Sequence, residues 1–235
     1  MLPKITTKAL RFSSTWAKES GRILVTTSEL AKSLSSNNKV VVLDASWHMP
    51  TTNRNGYEEY LSKRIPTSKY FDIDVISDPS GSPTNPNSLP HQLPSNEVFR
   101  SETSKLGILK DDVPIVVYDS KGMFSAARCW YMLHAYGHRS CYLLDGGLPK
   151  WEAEGLPLEN GEVENTTAAT KSEPKIDLFN DGNTEGIHDA RVSVELDHDV
   201  VQTYDQVIES IRNKSSILLD ARSKGRFEGT EKEPR

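Results

Sequence analysis

Apolar residues along this chain fall in short solid runs separated by amphipathic stretches. Val40–Leu43, Pro114–Tyr118 and Tyr142–Leu144 are unbroken apolar segments, the mark of strands covered on both faces. Lys69–Ile73 reads as a further strand. Between them, residues 28–36 predict a helix capped by Ser28, and Ser95 predicts the cap of a helix running to about Leu106. A longer helix is expected from Phe124 to Tyr136, stopped by Gly137. Gly146-Gly147 turns into a last short helix through Trp151. Residues 51–64 are polar and read as a helical or irregular excursion, while residues 77–94 hold five prolines and predict an ordered loop or lid. Strands alternating with helices predict an α/β fold, an open, mainly parallel sheet with helices on both faces.

The same pattern starts a second time. Val25–Ala45 (VTTSELAKSLSSNNKVVVLDA) and Val201–Ala221 (VQTYDQVIESIRNKSSILLDA) align without gaps at an offset of 176 residues. Val25/Val201, Thr27/Thr203, Leu43/Leu219, Asp44/Asp220 and Ala45/Ala221 are identical, and helix, polar turn, apolar strand and Leu-Asp-Ala follow in the same order. Residues 25–158 are thus expected to form one complete domain and residues 191–235 the start of a second, so that the chain reads as the N-terminal portion of a longer protein.

Charge divides the chain further. Residues 1–24 open with Lys4, Lys8, Arg11 and Lys18, carry no acid before Glu19 and are rich in Ser and Thr. This predicts a mitochondrial presequence rather than a secretory signal, since no unbroken apolar core is present; a plain basic N-terminus is the alternative. Residues 159–190 predict an acidic linker. The net charge of −5 argues against direct nucleic-acid binding, and no run of about 18 apolar residues predicts a membrane span.

Candidate chemistry is sparse in the first domain. The end of strand 115–118 is the default reaction crevice of an open α/β sheet, but its occupant is Asp119, a poor nucleophile. Cys129 and Cys141 read as buried structural thiols, and neither heads the Cys-x5-Arg loop of a phosphatase. His134 and His138 are separated by the helix stop at Gly137 and lack a third metal ligand. His91 lies in the proline-rich loop, where Asp74 could orient it; a plain surface histidine is the alternative. Arg222, Arg226 and Arg235 follow the second Leu-Asp-Ala. They are suited either to holding a small carboxylate or to pairing with Glu228, Glu231 or Glu233.

Six segments carry a family resemblance: LDASWHMP (43–50), RIPTSKYFDID (64–74), HQLP (91–94), VVYDSKGMFSAARCWYMLHAYGH (116–138), LLDGGLPKWEAEGLP (143–157) and LDARSKGRFEGTEKEPR (219–235). Together they resemble the tandem-domain sulfurtransferases of the rhodanese superfamily, of the eukaryotic, fungal 3-mercaptopyruvate/thiosulfate kind. The resemblance implies two rhodanese-like domains, the first catalytically inert. It implies a sulfane sulfur passed from 3-mercaptopyruvate or thiosulfate to a thiol, cyanide or protein acceptor through a cysteine persulfide. It implies no cofactor or metal. By motif, Arg226 and Arg235 would hold the donor's carboxylate and carbonyl, and Asp74 and His91 would support catalysis. The nucleophilic cysteine is expected 176 residues beyond Asp119, so the 235-residue chain alone is expected to be inactive. Thioredoxin-like thiols and a sulfur-carrier system for tRNA thiolation are the implied acceptors, and a cytoplasmic pool beside the mitochondrial one is compatible with the family. The rival expectation is a non-catalytic rhodanese-like binding module.

Overall fold

The computed structural model describes residues 21–36, 38–108, 113–163 and 195–232. Most of the basic leader, the acidic stretch beyond residue 163 and Arg235 lie outside these residues. The chain divides into two compact units, Met1–Leu196 and Asp197–Arg235.

In the first unit, five parallel strands form one sheet in the order β1-β5-β4-β2-β3. The strands are β1 (Leu24–Val25), β2 (Val41–Asp44), β3 (Lys69–Tyr70), β4 (Ile115–Tyr118) and β5 (Cys141–Leu144). Every residue of β4 and β5 is buried, as a strand covered on both sides requires. Alternate residues Val42, Val116, Tyr118, Tyr142 and Leu144 join one apolar cluster with Leu30 of helix α1 (Thr27–Ser35) and with Leu148 and Trp151 of α5 (Gly147–Ala153). The intervening residues Leu43, Val117 and Leu143 point the other way and are equally buried. The remaining helices of this unit are α2 (Gly56–Ser62), α3 (Asn96–Lys105) and α4 (Ala126–Ala135), and α4 packs on β4 and β5. The α/β reading therefore holds.

Local details differ from the sequence reading for identifiable reasons. The cap of α1 is Thr26 rather than Ser28, because Thr26 and Glu29 close a reciprocal capping box. Strand β3 stops at Tyr70 instead of Ile73, because the Asp72 carboxylate accepts the amides of Asp74 and Val75 at 2.9 and 3.3 Å and turns the chain. The polar excursion resolves into a 3₁₀ turn at Pro50–Thr52 and then α2, capped by Asn55. Helix α4 ends as expected: Gly137 takes φ 93°, and the His138 amide reaches back to the Leu133 carbonyl at 2.9 Å. The first residues of the acidic stretch are tied to this unit. Arg64 and Glu159 exchange backbone hydrogen bonds of 2.9 Å, and the Arg64 guanidinium donates to the Gly161 carbonyl at 2.8 Å.

The second unit holds helix α6 (Tyr204–Asn213), opened by a Thr203/Gln206 capping box, and the short α7 (Lys224–Phe227) capped by Ser223. The strand expected at Ile217–Leu219 is absent. These residues have no ladder partner among the described residues and are 90, 55 and 89% exposed. An apolar run becomes a strand only when a neighbour supplies its hydrogen bonds.

Candidate functional site

The C-terminal ends of β2 and β4 frame the site. After β4 the chain turns so that five backbone amides converge on one point, and the Asp119 carboxylate occupies it. Its Oδ1 accepts from Lys121 and Gly122, both at 2.8 Å. Its Oδ2 accepts from Phe124 at 2.6 Å and from Ser125 and Ala126 at 2.8 Å. The last three donors lie at the start of α4, where unpaired amides and the helix dipole favour an anion. Gly147 lets α5 approach this loop: a Cβ there would lie 2.7 Å from the Asp119 carbonyl oxygen, and its φ of 54° suits glycine. This is an anion cradle already filled by a side chain of its own loop. The five amides that an outside anion or a thiolate would use are committed to Asp119.

Asp74 and His91, 17 residues apart in sequence, meet beside the cradle. His91 Nδ1 lies 3.0 Å from Asp74 Oδ1, within ion-pair distance when the imidazole is protonated and out of hydrogen-bond alignment. Both side chains remain open to solvent, His91 at 31% and Asp74 at 60%. Trp47 completes the group, and nothing in its sequence position marked it out. Its indole N–H donates to Asp74 Oδ2 at 3.0 Å, and its ring meets the His91 ring edge-on with centroids 5.0 Å apart. The Trp47 amide also donates to Ser125 Oγ at 3.1 Å, fastening the group to the cradle loop.

The proline-rich segment that carries His91 is ordered around buried Asn85. The Asn85 side chain donates to the Asp78 and Leu89 carbonyls and accepts the Leu89 amide, at 3.2, 2.9 and 2.8 Å. His91 itself adopts a left-handed backbone, φ 54°. For a non-glycine residue that costs about 1–2 kcal/mol. A charged donor compensates: Arg128 Nη2 donates to the His91 carbonyl at 2.7 Å, and such bonds contribute about 1.5–3 kcal/mol.

On the other side of the cradle lies a cavity of about 280 Å³ lined in part by Asp44, Ser46, Arg54, Glu59, Ser120 and Glu152. Its charges are mutually paired, Arg54 with Glu59 and Lys63 with Glu152, each at 2.6 Å. Burial pushes the Asp44 carboxyl up to about 6, against the opposing pull of the Ser46 and Tyr118 hydrogen bonds. Cys129 and Cys141 are buried, and burial raises the Cys129 thiol well above its ordinary range, so neither is poised to react. His138 is fully buried and pushed down to about 4 by burial, whereas His134 stacks on Trp130. Among the described residues no group of three His, Cys, Asp or Glu side chains is placed to hold a metal ion, and no helix is long and apolar enough to cross a membrane.

In the second unit Arg226 lies in α7, its amide capped by Ser223 Oγ at 3.4 Å. Arg222 pairs with Asp220 at 2.6 Å. Arg235 lies outside the described residues.

This open parallel sheet has a family: residues 26–154 match the family model described as "Rhodanese-like domain". The chain belongs to that family. It is 40% identical over 195 residues to "Thiosulfate/3-mercaptopyruvate sulfurtransferase 1, mitochondrial" of Arabidopsis thaliana, covering 83% of this chain and 49% of that protein. It is 35% identical to human "3-mercaptopyruvate sulfurtransferase", covering 83% of this chain and 56% of that one. Among solved structures, Tum1 from Saccharomyces cerevisiae matches with TM-score 0.69 and 32% identity, covering 91% of this chain and 65% of that one. The 3-mercaptopyruvate sulfurtransferase SseA from Escherichia coli matches with TM-score 0.67 and 29% identity, covering 88 and 68%. The chain spans about half the length of the curated relatives.

Proposed function

We propose that this chain is part of a sulfurtransferase that takes sulfane sulfur from 3-mercaptopyruvate or thiosulfate, and that its first domain serves the reaction without carrying the nucleophile. The observation that carries this reading is the filled cradle. The backbone that would activate a thiolate is intact but committed to Asp119, while a solvent-facing Asp74–His91 pair is held beside it.

The reaction needs a cysteine thiolate in a second, unfilled cradle, within the part of the relatives that this chain does not span. That thiolate attacks the donor sulfur. With 3-mercaptopyruvate the carbon–sulfur bond breaks, its electron pair passes to carbon, and the enolate takes a proton to leave as pyruvate. The acceptor thiolate then attacks the outer sulfur of the persulfide and releases the enzyme thiolate. Asp74 and His91 are suited to move a proton in these steps. Arg226 and Arg235 would hold the donor's carboxylate and carbonyl through forked hydrogen bonds. Cyanide, a thioredoxin-like thiol or a sulfur carrier for tRNA thiolation would accept the sulfur. The basic leader and a relative named as mitochondrial support mitochondrial import; a cytoplasmic pool is a further part of the proposal.

The test is steady-state pyruvate and sulfide release by the full-length gene product with 3-mercaptopyruvate and dithiothreitol. Turnover is expected there, with a clear loss in Asp74→Asn and His91→Gln, and none is expected from residues 1–235 alone. A full-length product that transfers no sulfur from either donor would leave a binding module. The burial of both thiols in the described residues favours that second reading for this chain taken by itself.

A further inference from the structure

Among the described residues Arg128 stands out as a cation without a counter-ion. It lies in the first turn of α4, its guanidinium is partly buried, and among the described residues it pairs with no carboxylate. Among the described residues its Nε has no partner, and its one side-chain hydrogen bond runs from Nη2 to the His91 carbonyl at 2.7 Å. A partly buried guanidinium with a single neutral acceptor recovers only part of the hydration it loses, so its placement costs stability. The acceptor belongs to a residue with φ 54°, which side-chain-bearing residues rarely adopt unaided. Arg128 is itself fixed by the cradle. Its amide bonds to the Ser125 carbonyl at 3.0 Å, and the amides of Ser125 and Ala126 are held by Asp119.

We propose that Arg128 is the positioning residue of the Asp74–His91 pair, anchoring the His91 backbone to the Asp119 cradle so that the imidazole faces Asp74 and Trp47. The inert cradle then has a present use. It is the fixed point from which the first domain presents its histidine. This inference rests on the sulfur-transfer reading for its effect on turnover, but its structural half stands without it.

Two arms test it. In the 235-residue chain, the nuclear Overhauser contact between the Trp47 indole and the His91 ring is expected to vanish in Arg128→Met and persist in Arg128→Lys, which keeps a charged donor. Persistence in Arg128→Met would overturn the proposal. Should Arg128→Met fail to fold, Arg128→Gln replaces it, as a shorter neutral donor that cannot hold the carbonyl in the same way. In the full-length protein, Arg128→Met is expected to lower kcat for 3-mercaptopyruvate roughly ten- to hundredfold with KM nearly unchanged, as small misplacements of catalytic groups do. Combined with His91→Gln, it should cause no further loss, because it acts only through His91. An equal further loss in the double variant would show that Arg128 works elsewhere. If His91→Gln alone costs nothing, the sulfur-transfer role of the pair fails, and the ring contact in the shorter chain still decides the positioning claim.

Discussion

Asp44 and Asp220 are the central residues of the same Leu-Asp-Ala tripeptide in two parts of the molecule, and each accepts the amide two residues onward at 2.9 Å, from Ser46 and Arg222 respectively. Around that shared turn everything else differs. Asp44 ends a strand paired on both sides and is 1% exposed; burial raises its carboxyl to about 6. Asp220 follows an exposed, unpaired run, and hydrogen bonding to Arg222 holds it down at about 2. Identical local sequence therefore fixes the turn, while strand pairing and charge state come from neighbours. Asp119 extends the series. It makes the same i to i+2 contact, to Lys121 at 2.8 Å, and adds four more amides.

That gradation predicts the largest effect at Asp119. Asp119→Ala would leave five amides without their acceptor at a buried turn and is expected to destabilise the first domain by about 3–5 kcal/mol. Urea unfolding would measure it, and a loss below about 1 kcal/mol would show that water can replace the carboxylate. Asp119→Cys sharpens the contrast with the buried thiols. A thiolate there would inherit the cradle amides and should be alkylated by iodoacetamide far faster than Cys129 or Cys141. Equal rates at all three would mean that the cradle does not activate a thiol.

The two Leu-Asp-Ala turns should titrate in opposite senses. Asp44 binds its proton more tightly folded than unfolded, where its ordinary value is 3.8. Its contribution to stability is therefore full below about pH 4 and is lost as pH rises through about 6, a change of roughly 3 kcal/mol. Asp44→Asn should flatten the urea midpoint across that window. For Asp220 the folded value is depressed, so its contribution is present above about pH 4 and fades as pH falls toward 2. The amide shifts of Ser46 and Arg222 report the two carboxyls directly, with expected midpoints near 6 and 2. Coincident midpoints would remove the distinction between the two environments.

What the sequence made legible follows from the range of each interaction. Strands β4 and β5, the Ser95 cap and the Gly137 stop are written in adjacent residues, and they were readable. Strand β1 was not, because its two residues are strand only by virtue of pairing with Leu143 and Leu144 over a hundred residues away. The Asp74–His91 pairing was suggested by position with a plain surface histidine as the alternative, a family motif strengthened it, and the structure brings the two together. Trp47 and Arg128 escaped notice because their partners are distant. One donates to a carboxylate 27 residues on, and the other to a carbonyl 37 residues back. A backbone carbonyl leaves no signature in sequence. The apparent strand at Ile217–Leu219 misled for the converse reason: its polarity pattern was present without the pairing neighbour.

The smallest effects expected lie at the helix starts, and they separate local encoding from tertiary support. Both α1 and α6 open with a complete capping box, Thr26 with Glu29 and Thr203 with Gln206, although the gapless repeat places Thr203 opposite Thr27. The caps are therefore offset by one residue from the alignment, and because α6 has ten residues against nine in α1, the polar turn after α6 is two residues shorter. Thr26→Ala and Thr203→Ala should each remove about 1 kcal/mol of capping energy. Its destination should differ. Helix α1 buries Leu30 in the core, so its cap is coupled to the whole domain, and the loss should appear in the urea midpoint. Helix α6 has no buried residue, and ten residues without packing are marginal as a helix. There the same loss should leave global unfolding unchanged and appear as faster amide exchange along residues 204–213. If exchange in α6 does not respond to Thr203→Ala, tertiary contacts hold that helix as firmly as they hold α1, and the contrast between the two units narrows to the carboxylates alone.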